Sequence, residues 1–191
     1  MTVNNQRPHV ILRLLCAATI AVAAGTVTAA AQSSEPKTVA DFFLLVPGRY
    51  MVGYDRRFRE ELLRGDRRGV VVDIPNGYIS YDESDNPSGF EFAVFRKSNG
   101  RHLVAYSTGA FSDPELAKES GNWPTLFLLS YEGGRWRDVT KKSLPVAFDK
   151  KLAYKLPRRG RVIEVWDERG RRLYTLTWRN DRFHIDRAAG R

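Results

Sequence analysis

The nearest approach to catalytic chemistry in this sequence is a pair of carboxylates, Glu164 and Asp186, within "VIEVWDERGRRLYTLTWRNDRFHID". Hairpin pairing sets Glu164, Thr175 and Asp186 in one polar row and Val162, Thr177 and His184 in the next. The two acids would then stand two strands apart, ~9–10 Å, near the upper end of the separation an inverting glycosidase uses. Acid and base roles also need burial or a cleft to drive their pKa values apart, and a meander face supplies neither. Glycan or cell-wall hydrolysis by this pair is therefore carried as an alternative only. The other candidate base is His102, in "FAVFRKSNGRHLVAYST". A two-residue turn centred on Asn99-Gly100 places it opposite Lys97, on the face of Phe95, Val104 and Tyr106. A cation beside an imidazole disfavours its protonated form, and in this register no carboxylate orients the ring. His102 reads as scaffolding, and no catalytic residue is assigned.

Binding chemistry has a stronger signal. From Lys141 to Arg161 the chain carries Lys141, Lys142, Lys150, Lys151, Lys155, Arg158, Arg159 and Arg161 against one acid, Asp149. Such a run is ordinarily a solvated face. This one is also the longest irregular segment, bracketed by Pro145 and Pro157, and long functional loops concentrate binding. Trp123, in "ESGNWPT", and Trp166, which points away from the apolar face of its strand, are the two tryptophans with a claim to a ligand. Trp136 and Trp178 have cross-strand aromatic partners and read as packing. The loop "YDESDNPSGFE" offers Asp82, Ser84, Asp85 and Asn86 as oxygen ligands for calcium, but Pro87 stands where that template requires glycine. Zinc lacks its cysteines, so neither a metal nor a cofactor is expected.

The elements that must position these residues begin after a leader. Residues 1–31 combine Arg7 and Arg13, an apolar run from Leu14 and the small residues Ala29, Ala30 and Ala31, the pattern of a cleaved secretory signal. A retained membrane anchor and lipidation at Cys16 are the competing readings, and Leu15 argues against the second. The whole chain has 31 basic and 22 acidic residues. Processing would remove two arginines and no acid, leaving 29 against 22 and a net charge of +7. It would also remove the sole cysteine, so stability must come from an ordinary core. Residues 32–191 read as one β-rich domain without a linker.

Two helices open that domain. In "KTVADFFLLVPG" Thr38 caps, Asp41 completes a capping box and Pro47-Gly48 ends the run. In "YDRRFREELLRGD" Asp55 caps, Phe58 and Leu62 stack, Glu60 can pair with Arg64 and Gly65 closes the helix. From Gly69 the period becomes two, punctuated by Asn76-Gly77, Asn99-Gly100, Gly133-Gly134, Arg169-Gly170 and Asn180-Asp181, all hairpin signals. Gly133-Gly134 pairs Tyr131 with Trp136 and Glu132 with Arg135. Arg169-Gly170 pairs Asp167 with Arg172, unless a longer loop of the same parity intervenes. It aligns Ile163, Val165, Tyr174 and Leu176 on one face, which Trp178, Phe183 and Ile185 extend. The hairpin holding His102 is apolar on both faces, Phe90, Phe92 and Val94 on one and Ala93, Phe95, Val104 and Tyr106 on the other. It should therefore be covered twice, by sheet and by the N-terminal helices.

The succession "TVADFFLLVPGRYM", "DIPNGYISY", "FAVFRKSNGRHLVAYST", "LFLLSYEGGRWRDVT" and "VIEVWDERGRRLYTLTWRNDRFHI" resembles an uncharacterised family of exported bacterial proteins of unknown function. The resemblance rests on turn and core residues. It implies a secreted β-rich domain and transfers no site. The expected fold is mainly β (α+β): a curved antiparallel meander of about nine short strands, barrel-like or sandwich, closed or nearly closed, with two short N-terminal helices. The expected function is that of an exported, periplasmic or extracellular, non-enzymatic binding protein. Lys150, Lys151, Lys155, Arg158, Arg159, Arg161, Trp123 and Trp166 would contact an anionic lipid, polysaccharide or other cell-envelope component. Export disfavours nucleic acid. A carrier holding an apolar ligand inside the sheet is the further alternative.

Overall fold

A computed structural model describes residues 35–82, 89–108 and 125–187, all within one compact unit, Ser33–Arg191. The expected leader, residues 1–31, lies outside them. Helix α1, Val39–Leu45, starts on a full capping box: the Thr38 hydroxyl accepts from the Asp41 amide at 3.2 Å and the Asp41 carboxylate accepts from the Thr38 amide at 2.9 Å. Its C-terminal carbonyls would be orphaned under the chain that follows. Buried Arg59 fills that need, donating to the carbonyls of Phe43 at 2.6 Å and Val46 at 2.8 Å. Arg59 belongs to α2, Arg56–Arg64, which Asp55 caps through the Phe58 amide at 2.7 Å and Gly65 ends in the left-handed region. Glu60 pairs with Arg56 rather than with Arg64, which turns to Asp66.

Among the described residues ten strands follow. β1 Val70–Asp73, β2 Tyr78–Tyr81, β3 Phe90–Arg96, β4 His102–Thr108, β5 Thr125–Glu132 and β6 Arg135–Asp138 form a six-stranded antiparallel meander in chain order. A short helix, α3 Thr140–Ser143, leads to a second antiparallel sheet ordered β10-β9-β8-β7, from β7 Ala153–Lys155, β8 Val162–Trp166, β9 Arg172–Arg179 and β10 Arg182–Arg187. The architecture is mainly β, as the periodicity predicts, but neither sheet closes. The six-stranded sheet is covered on both faces, and layers on both sides leave it open rather than rolled on itself. On one face Phe42, Phe43 and Leu62 from the helices pack against Phe90, Phe92, Val104 and Tyr106. On the other, Phe95, Leu103, Ala105 and Leu128 pack against Ile163, Val165, Leu176, Trp178 and Phe183 of the second sheet. Fully burying each such side chain contributes about 1.5–3 kcal/mol, so the two covered faces supply most of the stability.

All five turn dipeptides connect hairpins, in three geometries, with Asn76-Gly77 ending a four-residue loop, 74–77, between Asp73 and Tyr78. Gly133-Gly134 and Asn180-Asp181 have positive φ at both residues, which a two-residue primed turn requires, and their strands pair as the sequence implies. At Asn99-Gly100 and Arg169-Gly170 only the glycine is left-handed. Lys97 therefore closes on Arg101, and Asp167 on Arg171, around three-residue loops. Each loop moves the pairing by one residue. In β8–β9 an irregularity at Val165/Trp166 restores the predicted partners, Ile163 with Leu176 and Val165 with Tyr174. In β3–β4 nothing restores them: Arg96 faces His102, Val94 faces Val104 and Phe92 faces Tyr106. The predicted register of that hairpin was thus off by one. Val104 and Tyr106 turn to the helices, while Leu103 and Ala105 turn to the second sheet. The double cover survives the correction because both faces are apolar in either register. Sterics dictate glycine at position 69, since a Cβ there would lie 1.9 Å from the Asp82 carbonyl oxygen.

Candidate functional site

The basic segment is more ordered than its composition suggests. Thr140 seats α3 by accepting from the Leu128 amide at 2.8 Å and donating to Asp138 at 2.6 Å. Asp149 then folds the tip that carries Lys150 and Lys151, its carboxylate accepting from the Lys151 amide at 2.9 Å and its carbonyl from the Tyr154 hydroxyl at 3.2 Å. The segment is therefore not a long irregular loop but holds a helix and the edge strand β7. What reads as loop is short because Leu144, Tyr154 and Leu156 are buried between the sheets and draw the backbone onto them.

From Tyr154 to Arg158 the chain is held at every second residue by the six-stranded sheet. The Ser107 hydroxyl on β4 donates to the Tyr154 carbonyl at 2.7 Å. The Leu156 amide donates to the Glu91 carboxylate on β3, and the Arg158 guanidinium pairs with Asp73 on β1 at 3.0 Å. These contacts run across β4, β3 and β1, so the strap lies athwart the strands beneath it. The cations point outward: Lys150, Lys151, Lys155, Arg158, Arg159 and Arg161 are all exposed. Arg158 is committed to Asp73, and Lys155 stands opposite Glu164 in the β7–β8 register. Lys150, Lys151, Arg159 and Arg161 have no ion-pair partner among the described residues. Lys151 and Arg158 are seven positions apart in the chain, a span of at most ~25 Å.

Trp166 lies beside Ala153, at the end of β7 that carries Lys150 and Lys151. It is half-buried on the outward side of the sheet, and its indole N–H is buried without a hydrogen-bond partner among the described residues. Trp123 lies outside the described residues, as do Ser84, Asp85 and Asn86; Asp82 is exposed. Among the described residues no group of three or more His, Cys, Asp or Glu side chains could hold a metal ion. Trp178 and Trp136 pack as their registers imply, with ring centroids 5.0 Å from Phe183 and 5.1 Å from Tyr131.

The polar rows of the C-terminal meander form in the predicted register. Glu164 accepts from Arg172 at 3.2 Å, and Asp186 accepts from the Thr177 hydroxyl at 2.6 Å. Each carboxylate is thus satisfied by a separate neighbour on an outward sheet face, with Asp186 exposed. His102 packs its ring on Phe42, 5.1 Å between centroids. Burial, and then the Arg96 charge beside it, hold its pKa below the ordinary histidine value.

Sequence reading passed over Glu91, an acid buried between the two sheets. Glu91 is 4% exposed, with Tyr78 donating to one carboxylate oxygen at 2.7 Å and the Leu156 amide to the other. Burial pushes its carboxyl up to about 7 although both hydrogen bonds favour the ionised form. Asp73, by contrast, is held below the usual carboxylate range by the Arg158 guanidinium. The signal was present in "GFEFAVF": the alternation that buries Phe90 and Phe92 on one face puts Glu91 with Ala93 and Phe95 on the other. No helix among the described residues is long and apolar enough to cross a membrane. No protein-family model, curated protein or solved structure matches this chain.

Proposed function

We propose that this protein is an exported, non-enzymatic binding protein that docks on an anionic surface or polymer of the cell envelope through the segment around β7. The observation that supports this reading is the set of exposed cations, Lys150, Lys151, Arg159 and Arg161, flanking an anchored edge strand without ion-pair partners among the described residues. Unneutralised cations on a rigid edge keep their charge for a ligand, whereas those of a salt-bridged face are already spent on neighbours. Trp166 adjoins the Lys150–Lys151 end and would lie at the rim of the contact. The apolar faces of β3 and β4, which suggested a carrier, are packed against the chain's own helices and second sheet.

The test is co-sedimentation with vesicles of anionic phospholipid, with neutral vesicles and with an acidic polysaccharide, at low and physiological salt. Each cation at an anionic surface contributes about 1 kcal/mol, so Lys150→Gln, Lys151→Gln and Arg159→Gln together should weaken binding roughly 100-fold. Thermal stability should stay within ~0.5 kcal/mol, because all three are exposed. Binding should also fall steeply with salt, the Debye length being ~8 Å at physiological ionic strength. No binding to either anionic target, or binding that the triple substitution leaves unchanged, would refute the reading.

A further inference from the structure

We propose that residues 154–158 are a pH-responsive strap, seated on the six-stranded sheet when Glu91 is protonated and released from it when Glu91 is ionised. The geometry carries this. Three polar contacts tie the strap to the six-stranded sheet, through Ser107, Glu91 and Asp73, and the middle one is an acid that the strap itself covers; Tyr154 and Lys155 also pair with Val165 and Glu164 of β8, and the Tyr154 and Leu156 side chains are buried between the sheets. Glu91 shares its cross-strand row with Ser80 and Ser107, neither of which carries charge. The charged and titratable groups facing it are Tyr78 on β2, Lys155 on β7, Glu164 on β8 and, at the end of the strap, Arg158 with its partner Asp73. Lys155 favours the carboxylate and Glu164 opposes it, so neighbouring charges partly cancel and burial decides.

The direction follows from linkage. With the strap seated, Glu91 holds its proton up to about 7, against an ordinary value of 4.5. Lifting Leu156 admits water to the carboxyl and returns it toward that ordinary value. The seated form therefore binds the proton more tightly, and acid favours it. As pH rises through 7 the seated form must carry a buried carboxylate. The open form, which solvates it, gains by up to ~300-fold over its level in acid, the ratio that such a difference in proton affinity allows. Lys155, Arg158 and the cations beyond them travel with the strap, so its release changes how the basic segment presents itself. That regulatory consequence rests on the anion-binding reading above; the opening itself does not.

Amide hydrogen exchange tests it on the intact chain. The Leu156 amide should be less protected than the central β3–β4 amides, and its protection factor should fall at least tenfold between pH 6 and 8.5. In Glu91→Gln, where the side chain cannot ionise, Leu156 protection should be flat across that range. Leu156 protected as strongly as the β3–β4 amides would mean that it opens only with global unfolding, and would overturn the proposal. So would a flat profile in the wild type, or a pH-dependent one in the variant. Should Glu91→Gln fail to fold, carboxyl carbon-13 titration of Glu91 in the wild type decides: an apparent pKa at or below the ordinary 4.5 overturns the strap. Failure of vesicle or polysaccharide binding, with these exchange results intact, would remove the proposed function and leave the strap standing.

Discussion

Replacing Glu91 by glutamine should stabilise the protein above neutral pH and lose that advantage in acid, the reverse of what deleting an ordinary salt-bridged carboxylate does. Between its ordinary value of 4.5 and its folded value of about 7, the native protein holds a proton that the unfolded chain has released. Stability must then fall as pH rises through that window. The contribution is fully present below 4.5 and gone above 7. At 1.36 kcal/mol for each pKa unit, the change from pH 5 to pH 8 integrates to about 2.5 kcal/mol. Glutamine matches glutamate in shape. Its carbonyl can accept from the Leu156 amide while its amide donates to Tyr78, so hydrogen bonds are kept and only the buried charge is removed. Urea unfolding of both proteins at pH 5, 6, 7 and 8 isolates the effect, since every other titrating group cancels in the difference. The stability of the variant relative to the wild type should rise by about 2.5 kcal/mol across the series. A constant difference, or one that falls with pH, would show that the Tyr78 and Leu156 hydrogen bonds outweigh burial, and the reasoning about Glu91 would fail.

Trp178 is 3% exposed, packed at an angle against the Phe95 and Phe183 rings, and its indole N–H donates to the Arg96 carbonyl at 3.2 Å. Trp178→Ala should cost roughly 3–5 kcal/mol and Trp166→Ala much less; thermal unfolding that ranks them the other way would contradict the inward and outward faces of the second sheet. Arg59→Met should cost about 2–4 kcal/mol, because it strands the Phe43 and Val46 carbonyls at the end of α1. A midpoint shift under ~2 °C would mean that water or a relaxed backbone satisfies them instead.

Local chemistry was legible in the sequence wherever two or three neighbouring residues suffice to decide a conformation. Thr38 and Asp41 write a capping box, Asp55 and Gly65 bound α2, and Gly133-Gly134 and Asn180-Asp181 name their own turns, because each device closes within a few residues. The outward polar rows with Glu164 and Asp186 were legible too, since one face of β8–β10 is apolar and the other is not, which fixes parity. The β3–β4 register was not. With apolar residues on both faces, a one-residue slip exposes nothing, so the pattern holds no information and the loop closing on Lys97 and Arg101 decides.

The division into two open sheets was likewise a tertiary outcome. Whether strands of a meander close on themselves or split depends on what covers each face, and that cover comes from α1, α2 and the four-stranded sheet, distant in the chain. The basic run was visible as charge, but not as a strap, because its anchors, Ser107, Glu91 and Asp73, lie 47, 65 and 85 residues away from their partners. A sequence window records which side chains carry charge. Only the folded chain decides which carboxylate is left with water and which is buried beneath a crossing strand, and it is desolvation that sets the difference between Glu91 and an ordinary acid.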